Sequence, residues 1–547
     1  MRAPRRLAAF GLMALPPLVA AFHVTSTLSW PRPLPRYFQG NPISRGDLSA
    51  ETVERELGPL LSPGSLIFGP SSPSYPSAIE RWISFVQPDI QVVVEPALES
   101  DVSFVVKYCN DNSIDFLARS RGHGSTLSLN AFSGLQIDLR QLQGLEIQED
   151  GKTVVLQGGV YAAPVVHSLW DEGYITGEST VYSNPKLLWD LSADSNFHQV
   201  TGSCYCVGMG GLGLGGGHGR LESLYGLVSD GYVHLNVVLA DGSEIGVNET
   251  SHADLFWAMR GAGHNFGIVT SFRVKIYPRP THTWHFRSYI WTQDKLETLF
   301  EELNRLHTSD DGTTPPLVAF EQGLLIMNTS ISETEPVLSW SFMYNGPAED
   351  ADLYLQPFDD IGAEYEERHD VEYSELAALG GTDEDGPSCV NGPFVSSTTL
   401  LKKYNVTTQR ALYHHFVQKV AEYPELGATA RLAHQGYANA ASQAINPHST
   451  AYPHRDQNLI LYFLVVVFPG SDLEEAAEVW AREAWDLWTE GQDAHSYVNY
   501  AIGQPYETVE SVYGYEPWRL ARLRALKAKY DPRNSFRFYV PILSWTK

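Results

Sequence analysis

The chain is poor in cysteine, in basic residues and in long apolar segments. Its 547 residues include only 4 cysteines, too few for a fold built on disulfides. No cysteine pair has CxxC spacing and no histidine cluster has the spacing of zinc ligands, so we predict no metal site. Against 64 Asp and Glu there are 38 Lys and Arg, and the formal net charge is -26. Nucleic acids and anionic membranes bind basic faces, so we expect neither as a partner.

The one extended apolar stretch lies at the N-terminus. Residues 1–21 combine a basic start, an apolar stretch interrupted by Pro16 and Pro17, and small residues at the end. This pattern is typical of a secretory signal peptide, and a retained anchor is the alternative. We therefore expect a secreted protein. Three Asn-x-Ser/Thr sequons agree with secretion and predict glycosylation at Asn248, Asn328 and Asn405.

The length predicts more than one structural unit, because a single core rarely grows beyond about 250–300 residues. Residues 22–84 form an N-terminal extension rich in Pro and Ser. Strand-like and helical patterns alternate over 85–280, and a second mixed segment covers 281–488. The closing segment, 489–547, contains a helix predicted over Pro517–Tyr530.

Three local patterns give further expectations. A helix over Glu99–Asn110 places Phe104 on its apolar stripe. The Gly- and Asp-rich stretch Gly380–Asn391 is interpreted as a surface loop. The basic residues of the C-terminal helix are interpreted as a solvated face; these are Arg519, Arg522, Arg524, Lys527 and Lys529.

Glycine is concentrated in three loops, and the longest carries a cysteine and a histidine. Segment 202–219 contains Cys204 near its start and His218 near its end. A second small-residue loop, Arg119–Ser125, contains His123, and a third covers Arg260–Gly267. Glycine allows positive φ and lets the backbone approach a bulky ligand closely. The loops therefore predict a site for a large cofactor.

A nicotinamide cofactor is the first alternative, because residues 211–216 satisfy the pattern GxGxxG. A dinucleotide-binding loop follows a strand, opens a helix and is followed by an acidic residue about twenty positions later. Here the glycines continue to Gly219 and no helical pattern opens at once. The pattern therefore argues against NAD.

Together these segments resemble the oxygen-dependent FAD-linked oxidoreductases, the berberine-bridge-enzyme-like family of the vanillyl-alcohol-oxidase superfamily. The resemblance covers 85–280 and returns at 497–500 and 526–534. It implies an α+β fold, with a PCMH-type FAD-binding domain over 85–280 and a substrate domain of antiparallel sheet and helices over 281–488. The segment 489–547 is implied to return to the FAD domain.

The resemblance also implies FAD attached covalently at two residues. His123 matches the histidine linked to the flavin 8α-methyl group, and Cys204 matches the cysteine linked to ring carbon 6. Cys206 stays an alternative tether, since residues two apart in an extended segment face the same side. The family's usual Ser-Gly-Gly-His loop has Arg121 in place of the first glycine, which puts a cation beside the diphosphate. The disulfide pairing of Cys109, Cys206 and Cys389 is left open.

The resemblance assigns a larger set of residues to the cofactor. These are His123, Cys204, Arg119, Ser120, Arg121, Gly122, Gly124, Ser125, Val207, Gly208, Gly211, Gly215, Gly216, Gly219, Gly267, Ile268, Val269 and Asn499. Tyr500 matches a tyrosine that acts as catalytic base in several members. His218 stands where the family often has a tyrosine facing the substrate, and we expect it opposite Tyr500, where its charge could lower the tyrosine pKa.

The implied function is that of an oxidase of a natural-product alcohol or amine. Hydride would pass to FAD, and O2 would reoxidise the flavin and yield H2O2. Family members of this kind are common in fungal natural-product pathways. A carbohydrate oxidase is the nearest alternative, and a non-catalytic secreted glycoprotein that binds through the same fold is the alternative of another class.

Overall fold

The computed structural model describes residues 48–85, 87–172, 174–175, 202–278, 283–308, 313–503 and 506–543. The predicted signal peptide lies outside these ranges. The α-helices are α1 Ala50–Leu57, α2 Tyr75–Ile79, α3 Glu99–Asp111, α4 Ala162–Asp171, α5 Met209–Leu212, α6 Glu222–Tyr225, α7 Ala253–Met259, α8 Leu296–His307, α9 Ala348–Asp360, α10 Leu376–Leu379, α11 Val406–Glu422, α12 Pro424–Gly427, α13 Ala440–Ala444, α14 Glu474–Thr489, α15 Val509–Tyr513 and α16 Pro517–Tyr530. Within the described ranges, none of them has both the length and the apolarity that crossing a bilayer requires.

The first sheet presents the His loop at one of its edges. Its strands are β1 Leu66–Phe68, β2 Asp89–Glu95, β3 Phe116–Arg119 and β4 Ser133–Asp138, in the order β1-β2-β4-β3. Strands β2 and β3 both run parallel to β4, and α3 connects β2 to β3. Because β3 ends at Arg119, the loop with His123 begins at the carboxyl edge of the parallel strands, where ligands commonly bind in parallel sheets.

The amphipathic face of α3 differs from the prediction. Phe104 is 42% exposed, whereas Val102, Val105 and Val106 are fully buried against the first sheet. The predicted stripe was therefore wrong at one position. Val102 and Val105 are buried as predicted and Val106 is buried in place of Phe104, because the helix shares one core with residues of the first sheet.

A second sheet is antiparallel and supports the Cys loop. The next strands in chain order are β5 Leu145–Ile147, β6 Thr153–Gln157, β7 Tyr174–Ile175, β8 Tyr232–Val238, β9 Glu244–Val247, β10 Ile268–Lys275 and β11 Tyr277–Pro278. Five of them form the order β5-β6-β10-β8-β9, and β7 pairs with β11. A Cβ added to Gly210, in α5, would lie 2.5 Å from the carbonyl oxygen of Gly158. Only glycine allows the Cys loop to lie this close to the sheet.

The third sheet confirms the predicted antiparallel sheet with helices. Its strands are β12 Trp284–Trp291, β13 Val318–Ile326, β14 Val337–Tyr344, β15 Tyr365–Val371, β16 Phe394–Leu401, β17 Arg431–Tyr437 and β18 Leu459–Val466. Their order is β15-β12-β14-β13-β17-β18-β16, and every pairing is antiparallel. Phe300, Phe416 and Trp480, from α8, α11 and α14, join the core that covers one face. The other face packs in part on the core of the second sheet, where Phe286 and Phe320 lie, and in part lines a cavity.

The C-terminal helix α16 has the predicted bounds but not the predicted surface. Arg519 and Lys527 are fully buried. Arg519 donates to the carbonyls of Thr450 and Ala451 at 2.9 and 3.3 Å. Lys527 donates to the carbonyl of Asn265 at 2.6 Å and to that of Phe536 at 2.9 Å. The interpretation as a solvated basic face was wrong for these two residues, because their donors fasten the helix to neighbouring loops.

The stretch Gly380–Asn391 is not a free surface loop either. Cys389 forms a disulfide with Cys206 of the Cys loop. The carbonyl of Ser388 accepts a hydrogen bond from the Trp82 indole at 2.9 Å, and the carbonyl of Thr382 accepts from the amide of Tyr205 at 2.8 Å. This loop therefore joins the third sheet to the Cys loop and to Trp82, whose ring stacks on His123.

Candidate active site

A cavity of about 350 Å³ lies where the three sheets meet. Its walls come from five parts of the chain: the His loop, the Cys loop, the start of β10, one face of the third sheet and the C-terminal segment. The predicted site residues that line it are Arg119, Ser120, Arg121, Gly122, His123, Gly124, Ser125, Cys204, Val207, Gly208, Gly211, His218, Gly267, Ile268, Val269, Asn499 and Tyr500. The structure thus brings most of the predicted residues together.

Gly215, Gly216 and Gly219 are not among the residues that line the cavity. A Cβ on Gly215 would lie 2.0 Å from Oδ1 of Asn499. Gly216 has a φ of +108°, and a Cβ there would lie 2.8 Å from the ring of Tyr452. Gly215 and Gly216 therefore allow segments of the protein to pack on one another, and the assignment of Gly215, Gly216 and Gly219 to the cofactor stays a prediction.

The His loop has unpaired donors and excess positive charge. Ser120 Oγ and Ser125 Oγ are buried without a hydrogen-bond partner among the described residues. Behind the loop, Arg119 and Arg140 share one carboxylate, Asp138, at 3.0 and 3.1 Å. Buried donors next to cations are the environment that a diphosphate requires. These residues fit the FAD diphosphate.

His123 is held as a neutral imidazole. Its ring stacks on Trp82, with centroids 6.1 Å apart and planes 16° apart. Burial first, and then the charges of Arg121 and Arg119, lower the pKa of His123 to about 4. Its Nδ1 is buried without a partner in the described part of the chain. A neutral imidazole keeps a lone pair on one ring nitrogen, which covalent attachment to a cofactor requires.

The structure resolves the disulfide pairing that the sequence left open. Cys206 bonds to Cys389, and the free thiols are Cys109 and Cys204. Cys204 lines the cavity, whereas Cys109 is buried in the core of the first sheet. Burial raises the pKa of the Cys204 thiol to about 11. The sulfurs of Cys204, Cys206 and Cys389 lie within 4.8 Å of one another, but the disulfide leaves only one of them as a thiol.

The third sheet forms a polar, uncharged roof over the cavity. Gln435 and Tyr437 lie two positions apart on β17, and Tyr462 lies on β18. Residues two apart on a strand face the same side, which explains why this set converges. Among the described residues that line the cavity there is no Asp, Glu or Lys. None of these roof residues was predicted from the sequence, because the pattern of a strand does not show which of its faces will border a cavity.

Comparison with known proteins establishes the family. A sequence profile described as FAD binding domain matches residues 90–187, and one described as Berberine and berberine like matches 496–542. The FAD-linked oxidoreductase iacH of Pestalotiopsis fici is 52% identical over 539 residues, covering 98% of each chain. The chain belongs to the berberine-bridge-enzyme-like FAD-linked oxidoreductases. The predicted family and the prediction of an enzyme are therefore confirmed.

Two further comparisons concern a relative and the fold. The FAD-linked oxidoreductase anuG of Penicillium roqueforti is 44% identical over 504 residues, covering 91% of this chain and 94% of its own. Glucooligosaccharide oxidase from Acremonium strictum superposes with a TM-score of 0.72 at 21% identity, covering 90% of this chain and 98% of that one. The description of that structure names a 6-S-cysteinyl, 8α-N1-histidyl FAD. This similarity confirms the PCMH-type fold.

Tyr500 of this oxidoreductase lies under the roof as a protonated phenol. Its hydroxyl donates to Oε1 of Gln435 at 3.3 Å. Burial raises the pKa of Tyr500 well above 10.0, and neighbouring groups, first Tyr437 and then Tyr462, raise it further. The ring of Tyr462 lies 5.9 Å from that of Tyr500. In this environment a neutral phenol can orient a substrate, and it can act as a base only in its ionised form.

His218 does not make the contact expected of it. Its Nδ1 lies 2.7 Å from Oε2 of Glu222, and its Nε2 lies 2.7 Å from the hydroxyl of Tyr452. The ring of Tyr497 contacts both His218, at 4.8 Å, and Tyr500, at 5.3 Å. Both nitrogens of His218 are therefore engaged away from Tyr500. These contacts support His218 as a residue that packs on Tyr497 and positions it. They do not place a charge of His218 beside the Tyr500 hydroxyl.

Two cavity residues that the sequence analysis missed hold the cofactor-binding loops. Trp82 stacks on His123 and also contacts Phe394 of β16, with ring centroids 5.2 Å apart. His264, in the third glycine-rich loop, has Nε2 3.0 Å from the carbonyl of Gly211. Trp82 gave no signal because it lies in the N-terminal extension. His264 stood inside a recognised glycine loop and could have been singled out.

Proposed function

We propose that this oxidoreductase oxidises a neutral, hydroxyl-bearing small organic substrate and uses O2 as the electron acceptor. The balanced reaction converts a secondary or primary alcohol and O2 into the carbonyl compound and H2O2. FAD, when bound, supplies the acceptor for the hydride and then returns two electrons to O2. The observation that carries this proposal is the uncharged polar roof over the cavity.

The roof argues against a substrate that binds as an ammonium ion. An ammonium buried without a carboxylate partner carries a desolvation penalty of several kcal/mol, and no described residue of the cavity wall is acidic. By contrast, Gln435, Tyr437 and Tyr462 offer amide and hydroxyl groups that can donate to or accept from a substrate hydroxyl. Of the alcohol and the amine left open by the sequence, the alcohol is the better fit.

Tyr500 is the candidate base. Oxidation of an alcohol removes a hydride from carbon and a proton from oxygen, so a group near the substrate must take up that proton. The Tyr500 hydroxyl faces the roof and is held by Gln435. In its ionised form it would accept the substrate proton. The Gln435 side chain would then have to turn its amide N–H toward the phenolate oxygen to hold it, because the present bond is donated by the Tyr500 hydroxyl to Oε1 of Gln435.

We propose that FAD is attached through His123 and Cys204. The neutral ring of His123 and the free, cavity-lining thiol of Cys204 support this, and so does the doubly linked FAD named for the similar glucooligosaccharide oxidase. Denatured wild-type protein should keep its flavin fluorescence on a gel. His123→Ala should retain only a cysteinyl link, Cys204→Ala only a histidyl link, and the double variant none. Attachment at Cys206 in Cys204→Ala would contradict the assignment.

The substrate class is tested by H2O2 release from the purified holoenzyme. Neutral aromatic and polyketide alcohols should be oxidised at least ~10-fold faster than amines of the same size, which lose several kcal/mol without an acidic partner. Oligosaccharides form the second arm of the panel. A carbohydrate oxidase is the second candidate, because amide and hydroxyl groups also suit a sugar and the similar Acremonium strictum enzyme is named for one. Faster turnover of amines would refute the neutral-substrate proposal.

We also propose that the chain is secreted and glycosylated. The basic and apolar start, the disulfide between Cys206 and Cys389 and the three sequons support this. Asn405 is exposed and caps α11 through its side-chain oxygen, which leaves its nitrogen for a glycan. N-terminal sequencing and glycosidase treatment of the protein from a fungal host test the proposal. An intact Met1 with no mass shift after glycosidase would contradict it.

A further inference from the structure

Three sulfur atoms lie close together beside the cavity. Cys204 Sγ is 3.4 Å from Cys206 Sγ and 3.5 Å from Cys389 Sγ, while Cys206 and Cys389 are bonded to each other. Nε2 of His123 lies 3.3 Å from Cys206 Sγ. A free thiol thus stands within reach of both sulfurs of a disulfide, next to the histidine proposed to hold the flavin.

We propose that the Cys206–Cys389 disulfide determines which cysteine is available for flavin attachment, and that Cys204 can exchange with it. This inference rests on the attachment proposed above. While Cys206 and Cys389 are paired, Cys204 is the only thiol at the cavity wall among the described residues. If either partner is missing, the remaining one is 3.4 or 3.5 Å from Cys204 and can pair with it.

The exchange step balances without an added oxidant. Cys204 gives up its proton, and its sulfur attacks the sulfur of Cys389. A Cys204–Cys389 bond forms, the Cys206–Cys389 bond breaks, and the sulfur of Cys206 leaves with the electron pair and takes up the proton. Attack on Cys206 instead would release Cys389. In either product Cys204 is part of a disulfide, so it no longer offers the thiol that flavin attachment requires.

Two features keep the exchange from running freely. The raised pKa of Cys204 keeps it protonated near neutral pH, and the thiolate is the attacking species. Once a flavin is attached to Cys204, the attacking sulfur is gone. Attachment and the native disulfide therefore protect each other, and the order of these two events during maturation decides whether the second flavin link forms.

The test compares single and double cysteine variants of the full chain. In Cys206→Ser, Cys389 can pair with Cys204 through the host's disulfide oxidant, the same class of oxidant that forms the native bond. Cysteinyl flavin should then fall at least ~10-fold, and a non-reduced digest should contain a Cys204–Cys389 peptide. In Cys206→Ser/Cys389→Ser no partner remains, so cysteinyl flavin should return to within about twofold of wild type. Cys206→Ser is therefore expected to carry less cysteinyl flavin than Cys206→Ser/Cys389→Ser.

The outcomes separate exchange from simple loss of structure. Wild-type levels of cysteinyl flavin in Cys206→Ser, or an equally complete loss in the double variant that keeps its His123-linked flavin, would overturn the proposal. If the double variant does not fold, the digest of Cys206→Ser decides: unpaired and unflavinylated Cys204 refutes the pairing of Cys204 with Cys389. Cys389→Ser should likewise yield a Cys204–Cys206 peptide. Cys109→Ala is the control and should leave the disulfide and both flavin links unchanged.

The same samples distinguish this inference from the attachment proposal. If wild-type protein carries no cysteinyl flavin but Cys206→Ser contains the Cys204–Cys389 bond, the attachment proposal fails and the pairing of Cys204 with Cys389 stands. Exchange itself is decided in wild-type protein made without flavin: a Cys204–Cys389 or Cys204–Cys206 peptide shows it, and a Cys206–Cys389 peptide alone refutes it. If wild type carries the link and both single variants keep it, attachment stands and exchange fails.

Discussion

The sharpest test of the catalytic site is the pH dependence of flavin reduction. A tyrosine with a pKa of 10.0 is ionised to about one part in a thousand at pH 7, and burial raises the pKa of Tyr500 above that value. If the tyrosinate is the base, the active fraction grows tenfold with each pH unit below the pKa. The rate of reduction by substrate should therefore rise with a slope near 1 on logarithmic axes from about pH 6 to pH 9.

The assay is anaerobic mixing of holoenzyme with a saturating substrate alcohol, followed by flavin absorbance. Tyr500→Phe should slow reduction at pH 9 by at least ~10²-fold and remove the pH slope, since general-base catalysis contributes about 10²–10⁴-fold. Tyr462→Phe is the matched control: its ring also lines the cavity, 5.9 Å from Tyr500, and the slope should persist. A flat profile in wild type, or an unchanged slope in Tyr500→Phe, would refute the assignment of Tyr500 as base.

Two stability predictions follow from buried contacts. Arg519→Met leaves three carbonyls of residues 447–451 without their donor, and at about 1–3 kcal/mol for each unpaired group it should lower the unfolding free energy by at least ~3 kcal/mol. Arg524→Met, on the same helix, is the control and should change the unfolding free energy by less than ~0.5 kcal/mol. Similar denaturant midpoints for Arg519→Met and Arg524→Met would contradict the role of Arg519. Gly210→Ala puts a Cβ 2.5 Å from the Gly158 carbonyl and should cost about 1–3 kcal/mol. Gly211→Ala meets no atom within 4 Å and should unfold like wild type, so equal denaturation of the two glycine variants would show that the loop can move away from the sheet.

Elements with strong local signals were predictable from the sequence. The helix Pro517–Tyr530 has the predicted bounds, because proline begins it and Asp531-Pro532 follows it. The strand Trp284–Trp291 likewise has a local signal, because aromatic side chains recur along it. The His and Cys loops could be found because glycine concentrates where a backbone must pass close to another group.

The features that could not be predicted from the sequence depend on contacts between segments that are far apart in the chain. Gln435 and Tyr437 form part of the roof because β17 pairs with β13 and β18, and no local pattern shows which face of a strand will border a cavity. The Cys206–Cys389 bond joins positions 183 residues apart. Arg519 looks like any surface arginine in the sequence, since its acceptors are backbone carbonyls some seventy positions earlier.

The cavity wall includes the last described part of the chain. Tyr500, Phe538 and Tyr539 line it, and the carbonyl of Phe538 accepts a hydrogen bond from Ser128, just beyond the His loop. A ribosome makes His123 and Cys204 long before it makes these residues. The pocket that would align a flavin with His123 and Cys204 is therefore incomplete until Phe538 and Tyr539 have been made, so the proposed attachment would follow their synthesis. A covalently bound flavin would then mark a chain in which Phe538 has already packed beside Ser128.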